Sequence, residues 1–391
     1  MKRLVGWATG PPLDLALFRI VICSVVLLSA DVWSAHRWSP STWPLVLTAV
    51  VLLSTALTLV GFSTRVSSLV AALSTLWLLT LPQQSGQVMH THHLVWFLAL
   101  VAAGPSGDAL SVEARGRTPP APSLAHGVPL RAAWLSVGLL YFFPGFWKAV
   151  DARAWLENLP ALVEWKWFQL GSEPTLALSP ELLRAGGVLA IAFELGFIVL
   201  VFSARTRVLA AALAVLFHLG IQLVMGIAFS SLWICLAMFL PWARWTRAPN
   251  DGVPTPNARA WPAAVLASIL LGGQLVTGVL DREDTWPIAA YPSFRNPPPR
   301  VVDWLEVEEV DASGAHLTLS RLTGREEQRR WGVMTRLLAR PEPVALRDFY
   351  RQWRGRIPLG VSELRFFRVR KRLGDASAPE RTLLSSQPVA E

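Results

Sequence analysis

Residues 139–155 read LLYFFPGFWKAVDARAW. A run of leucines and aromatics apolar enough for a bilayer ends here on Lys148, with Pro144 and Gly145 just before it. Two readings are open for that lysine. Its stem can lie along the helix while the ammonium reaches the headgroups, which Phe146 and Trp147 would favour. Alternatively it is a desolvated amine tuned as a general base. Pro144 supports the second, because it removes one helical hydrogen bond, and such breaks at membrane depth are tolerated mainly beside a cavity.

The rest of the chain is of the same character. It is 52% hydrophobic and 16% charged, with a mean hydropathy of +0.40, whereas soluble domains carry roughly 25% charged residues. Apolar runs of about 18 residues suffice to cross a hydrocarbon core. Nine are expected, at about 13–34, 43–61, 65–82, 89–104, 131–149, 183–203, 206–225, 228–243 and 261–280. The expected fold is therefore an all-α polytopic membrane bundle of about nine transmembrane helices over residues 1–280. A small extracytoplasmic α+β C-terminal domain follows over 281–391.

In that domain VVDWLEVEEVDASGAHLTLSRL reads as a hairpin turning at DASG, PVALRDFYRQWRGR as a helix and SELRFFRVRKR as a strand. The stretch 154–181 is too polar and proline-punctuated to span, and its tryptophans suggest an interfacial or re-entrant segment. The start of the chain resembles a signal peptide, but Asp14 and Arg19 interrupt the apolar region, so it reads as a retained first helix.

A net charge of +9 would suggest nucleic acid in a soluble protein. Here the excess arginine sits in short loops, where it sets orientation instead. With the N-terminus cytoplasmic, the inner loops carry Lys2, Arg3, Arg65, Arg115, Arg117, Arg131, Arg205, Arg207, Arg244, Arg247 and Arg259, against Arg37, Arg153 and Lys166 outside. The C-terminus is then extracytoplasmic. The partner implied is the lipid bilayer, not nucleic acid. Cys23 and Cys235 lie inside apolar runs, which disfavours a disulfide.

Ionisable groups at membrane depth cost about 2.5–3.5 kcal/mol each on insertion scales, so each needs a reason. Arg19 and Glu194 lie at similar depths and read as a buried structural pair. His90, His92 and His93 open the fourth span without a carboxylate or cysteine at ligand spacing, so no metal is expected. His218 sits mid-span with Gln222 one turn later, and reads either as a core histidine or as a pocket group. On the nine-span topology Lys148, the span-end histidines and His218 share the outer face.

Four segments in order resemble the horizontally transferred transmembrane (HTTM) domain family, bacterial relatives of vitamin K-dependent gamma-carboxylase. They are LDLALFRIVICSVVLLSA, HHLVWFLALVAAGPSGDALSVEA, LLYFFPGFWKAVDARAW and LFHLGIQLVMGIAFSSLWICLAMFLPW, covering about 13–243. The resemblance implies a bacterial inner-membrane protein with quinol-linked or general-base chemistry at an outer-face pocket. In the carboxylase, the matching lysine deprotonates the reduced vitamin K quinol, which oxygen converts into a base for glutamate carboxylation.

That role falls on Lys148, the role of stabilising developing charge on His92 or His93, and the role of pocket partner on His218. Tyr141, Trp147 and Gln222 are then candidate contacts to a reduced quinone, and the implied substrate is a peptide, protein or lipid. Trp147 stands where the animal enzyme has a second lysine, and 281–391 is too short for its propeptide-capturing domain. A rival reading is a non-catalytic membrane scaffold or maturation partner that binds a peptide in the same groove.

Overall fold

A computed structural model describes residues 8–39, 41–84, 91–118, 120–170, 175–246, 259–291, 294, 296–322, 337–338, 341–354, 360–373 and 378–389. The chain divides into two compact units, one of residues 1–152, 188–219 and 228–295, the other of 153–187, 220–227 and 296–391.

In the first unit α1 (Pro12–Leu28) is followed by the short α2 (Ala30–Ser34), because Ser29 is extended at φ −70°, ψ 117°. Next come α3 (Trp43–Val60), α4 (Thr64–Gln84), α5 (His92–Ala103) and α6 (Leu124–Val150). Helix α8 (Pro180–Leu200), α9 (Ala204–Met225), α10 (Ser230–Cys235), α11 (Trp242–Trp245) and α12 (Trp261–Val279) complete the helical part. Between α6 and α8 lies α7 (Ala152–Leu170).

Six helices among the described residues are long and apolar enough to cross a membrane: α3, α4, α6, α8, α9 and α12. The chain is thus built as a multi-pass membrane protein. The other three expected spans differ from expectation in length. The first is broken at Ser29, the fourth is the 12-residue α5, and the eighth is divided into α10, a 3-10 turn over Leu236–Phe239, and α11.

These three pack within the helical unit at both of their ends. Asp14 meets Ala243 at one end, while Asp31 lies within electrostatic range of Tyr291 at the other. His92 packs on Trp286, and Gly104 lies against Leu15 and Pro129. Phe229 touches His218, whereas the Met238 carbonyl accepts from Trp134. Helices α1 and α5 are buried on most sides. A shielded helix needs no lipid-facing apolar length and tolerates breaks that protein can satisfy.

Close packing in the first hairpin comes from small polar residues. Thr48, Thr55 and Thr58 on α3 and Thr64, Ser67, Ser68, Ser74 and Thr75 on α4 are all buried. Thr58 and Ser67 meet at 3.1 Å, and Thr48, Thr58 and Ser68 donate back to carbonyls one turn earlier. Small hydroxyl residues let helix backbones approach closely, and those that bond back to a carbonyl leave no orphan donor. Gly61 ends α3 at φ 71°, where an added Cβ would fall 2.1 Å from that of Ser111.

The second unit contains an antiparallel sheet of order β2-β1-β3-β4, with β1 Val301–Val310, β2 His316–Leu322, β3 Glu363–Arg372 and β4 Glu380–Pro388. The expected hairpin, helix and strand are all present, and β4 adds a strand that was not expected. The β1–β2 turn is made by Asp311, whose carboxylate accepts from the amides of Ser313 and Ala315.

Residues alternate across the sheet. Leu305, Val307, Leu364 and Phe366 pack under α13 (Pro343–Arg354) with Leu346, Phe349 and Tyr350. On the opposite face Val302, Trp304 and Val369 pack on Ala161, Trp165 and Phe168 of α7. Much of the segment 154–181, expected to be interfacial or re-entrant, forms α7 and belongs to the sheet unit. Residues 281–295 group instead with the helices, so the boundary falls near 295 and not at 280.

Candidate functional site

Trp134, Gly138, Tyr141, Gly145 and Lys148 recur at intervals of four and three along α6, and so share one face. Helix α8 runs against that face. A Cβ at Gly138 would lie 3.0 Å from Ile198, and one at Gly145 only 2.6 Å from the Cβ of Glu194. Glycine at 145 is what lets the two backbones close. The helix runs on through Pro144, whose missing N–H leaves the Leu140 carbonyl without its usual partner.

That close approach brings Glu194 to the lysine. Lys148 Nζ donates to Glu194 Oε1 at 2.6 Å and Oε2 at 2.8 Å, and the two residues are 5% and 4% exposed. A snorkelling ammonium would be exposed, so the first reading of Lys148 is overturned. The expected partnership of Glu194 with Arg19 is likewise corrected. Arg19 Nη1 donates to the Ser106 carbonyl at 2.5 Å and to Ala109 at 3.5 Å, while Nη2 reaches that of Leu110. A forked guanidinium can serve several carbonyls at once, whereas a compact ammonium suits one carboxylate.

One turn before Gly145, Tyr141 Oη lies 2.6 Å from His218 Nε2. Phe193, Phe197, Phe217 and Phe229 wall this pair. His218 is 5% exposed, and its Nδ1 has no hydrogen-bond partner among the described residues. A second tyrosine–histidine pair stands nearby: His93 Nδ1 and Tyr291 Oη are also 2.6 Å apart. Burial holds the Tyr291 phenol well above its usual range, so it is a neutral hydroxyl able to donate to His93. His92 is buried among Trp96, Trp286 and Tyr291, the nearest ring being 5.0 Å away.

These groups form one electrostatic neighbourhood, since Glu194 acts on Tyr141 and Tyr141 on Tyr291. Thus Lys148, His92, His93, Tyr141 and His218 are brought to the same end of the helical unit. Two expected contacts stand outside this buried cluster. Gln222 is exposed, so it does not stand with His218 in the buried cluster. Trp147 spends its Nε1–H on the Gly278 carbonyl at 2.8 Å, tying α6 to α12. His90 lies outside the described residues.

Two members are not placed in this cluster by the sequence. Glu194 is legible as a polar anomaly, but with Arg19 as its expected partner. Tyr291 falls within the expected tail, although its neighbours TWPIAAYP are aromatic and proline-rich like a structured loop. Gln274, an amide in LLGGQLVTG, is a further buried polar group of the helical unit. It is 3% exposed on the buried stripe of α12, and neither amide atom has a hydrogen-bond partner among the described residues. No group of three metal-ligating side chains occurs among the described residues.

No family model, curated protein or solved structure matches this chain.

Proposed function

We propose that this chain is an HTTM-type integral membrane enzyme carrying out general-base or quinol-linked chemistry, with Lys148 and Glu194 as its proton-accepting dyad. The observation that carries this is the buried Lys148–Glu194 pair beside two tyrosine–histidine pairs. Polar groups are expensive at this depth, and a set of seven at one end of the bundle is more than helix packing requires.

The ion pair and its neutral form differ by one proton moving across 2.6 Å. Lys148 can pass its proton to Glu194 and, as a free amine, take one from an acid bound beside it. His218 Nδ1 and the Gln274 amide are buried groups whose hydrogen bonds a ligand could complete, and the phenylalanine walls suit a flat ring. These features fit a reduced quinone, which when bound would supply an acidic hydroxyl and a pair of electrons. Tyr141 would then orient His218, and His93 held by Tyr291 would stabilise developing negative charge. The substrate class proposed is a peptide, protein or lipid.

The membrane assignment accompanying this reading is a bacterial inner membrane crossed nine times, counting the three shorter segments. The N-terminus is cytoplasmic, the C-terminus extracytoplasmic, and the Lys148 end faces outward.

The deciding experiment is Lys148→Arg in the full-length chain. Arginine keeps the charge and can pair with Glu194, but it does not lose its proton in a protein. The expected result is a folded protein with no turnover of added quinol and no complementation of a deletion, while the wild type retains a quinone on purification by mass spectrometry. A folded, fully active Lys148→Arg protein would defeat the base assignment, and a copurifying intact peptide would favour the scaffold reading.

A further inference from the structure

The other end of α6 carries a second set of exchangeable groups. Ser123 Oγ lies 2.7 Å from His126 Nδ1, and His126 Nε2 lies 2.9 Å from Asp108 Oδ2. Serine, histidine and aspartate are thus joined through one imidazole. Ser123 stands about 37 Å from Lys148 along the helix, at ~1.5 Å per residue, so these groups form a site separate from the Lys148 cluster.

Each member sits on backbone that is fixed from outside the set. Arg19, fully buried on α1, takes the carbonyls of Ser106, Ala109 and Leu110, and so holds the loop on both sides of Asp108. Ser123 exchanges two backbone hydrogen bonds with Gly10, each 3.0 Å long. His126 lies in the first turn of α6 and is fully buried, whereas Ser123 is half-buried. With the ring enclosed, a substrate can approach it by way of the serine.

A purely structural role does not account for the use made of that serine. Ser123 is the N-cap residue of α6, where a hydroxyl ordinarily accepts from a first-turn amide, a bond worth about 1 kcal/mol. Here the side chain makes no such bond and turns to the imidazole instead. The first helical bond runs from the Gly127 amide to the Ser123 carbonyl. The amides of Leu124, Ala125 and His126 precede it and remain as donors at the helix start.

We infer that Ser123, His126 and Asp108 form a nucleophilic triad that hydrolyses carboxylic esters. With Nε2 protonated and donating to Asp108, Nδ1 accepts from the Ser123 hydroxyl. Either ring nitrogen can fill either part, since the neutral ring has one N–H and one lone pair. Ser123 Oγ bonds to the ester carbonyl carbon as its proton passes to Nδ1, and the first-turn amides take the developing oxyanion. The ester C–O bond then breaks, and the alkoxide leaves with that proton. Water next attacks the acyl group and gives one proton to Nδ1. The acyl–Oγ bond breaks, Oγ recovers the proton, and a carboxylic acid departs. An ester suits a ring enclosed behind the serine, because an alkoxide leaves with less proton assistance than an amine. Asp108 acts through His126 and is a positioning residue.

The test uses the full-length protein in detergent, a fluorophosphonate probe followed by peptide mass spectrometry, and hydrolysis of p-nitrophenyl butyrate. The expected result is an adduct on Ser123, with ester turnover that Ser123→Ala abolishes. His126→Gln should slow labelling about a hundredfold or more. Asp108→Asn should lower kcat by a similar factor with KM unchanged, which loosening of the loop alone would not produce. Ser268→Ala, at an exposed serine of α12, should behave as wild type. Absence of an adduct on Ser123 in the wild type overturns the triad, and that result needs no variant to fold. Labelling of Ser123 at the wild-type rate in folded His126→Gln overturns it as well, leaving the three residues a structural role.

Discussion

The two ends of the helical unit solve the same problem in different ways. At the Lys148 end a cation meets a carboxylate, with tyrosine and histidine around it. At the other end Arg19 is held by backbone carbonyls, and Arg131 and Arg207 by an indole ring. The axial rise from Trp134 to Lys148 is about 21 Å at ~1.5 Å per residue. Carbonyls and rings do not titrate, and arginine does not lose its proton, so these three cations hold charge without exchanging protons. The Lys148 end is made of groups that can exchange them. Burying a charge is thus not the mark of a reaction site; burying a charge next to exchangeable partners is.

The sharpest way to break this contrast is to remove one partner at the titratable end. Glu194→Ala leaves the buried ammonium without its carboxylate and should cost about 3–5 kcal/mol. Lys148→Met combined with Glu194→Leu should recover much of that stability while remaining inactive. Arg19→Ala should be destabilising too, but its cost should add to that of Glu194→Ala within about 0.5 kcal/mol, since they share no contact. Strong coupling between Arg19 and Glu194 in a double-mutant cycle of melting temperatures would restore the pairing that the structure replaces.

A smaller effect is expected from Gly145→Ala. The new methyl meets Glu194 Cβ at 2.6 Å, so α8 must move, at about 1–3 kcal/mol. Activity should fall further than stability, because the shift lengthens the bond to Lys148. A variant that melts lower yet keeps full turnover would show that the dyad geometry is not needed.

Smaller still are the two phenols. Tyr141→Phe and Tyr291→Phe each remove one hydrogen bond, worth about 0.5–1.5 kcal/mol. If both pairs serve the site, each should lower turnover well beyond its effect on Tm. Equal, slight losses in both quantities would make the pairs structural only.

The surface provides the lower bound. Arg370 donates to Asp303 from two nitrogens at 2.8 and 2.9 Å, and this holds the Asp303 carboxyl below its usual range. Its contribution is present above the ordinary carboxylate value of about 3.9 and is lost as pH falls through the lower folded value. Screened by solvent, it should be at most about 1 kcal/mol. The Tm difference between wild type and Asp303→Asn at pH 7 should therefore be small and vanish in strong acid. A difference as large as that for Glu194→Ala would mean that burial does not set the scale.

Composition and periodicity determined a good deal unaided. Runs such as 43–61 and 206–225 had to become apolar helices, because nothing else satisfies their backbone in lipid. The alternation in SELRFFRVRKR and the turn at DASG specified strand and hairpin, since both depend on local geometry. The polar residues worth following (Lys148, Glu194, His93, His218) were visible as anomalies in apolar surroundings.

What the sequence could not state was azimuth and partnership. Arg19 and Glu194 read in sequence as lying at like depth, but the structure holds them at opposite ends, and a sequence does not say which helix faces which. Gly145 does, by admitting α8 against α6 and delivering Glu194 to Lys148. Gln222 follows His218 by one turn and is nevertheless exposed. Tyr291 joins His93 across nearly two hundred residues. Helical periodicity is a property of neighbours in the chain, whereas a site is a property of neighbours in space, and only packing connects the two.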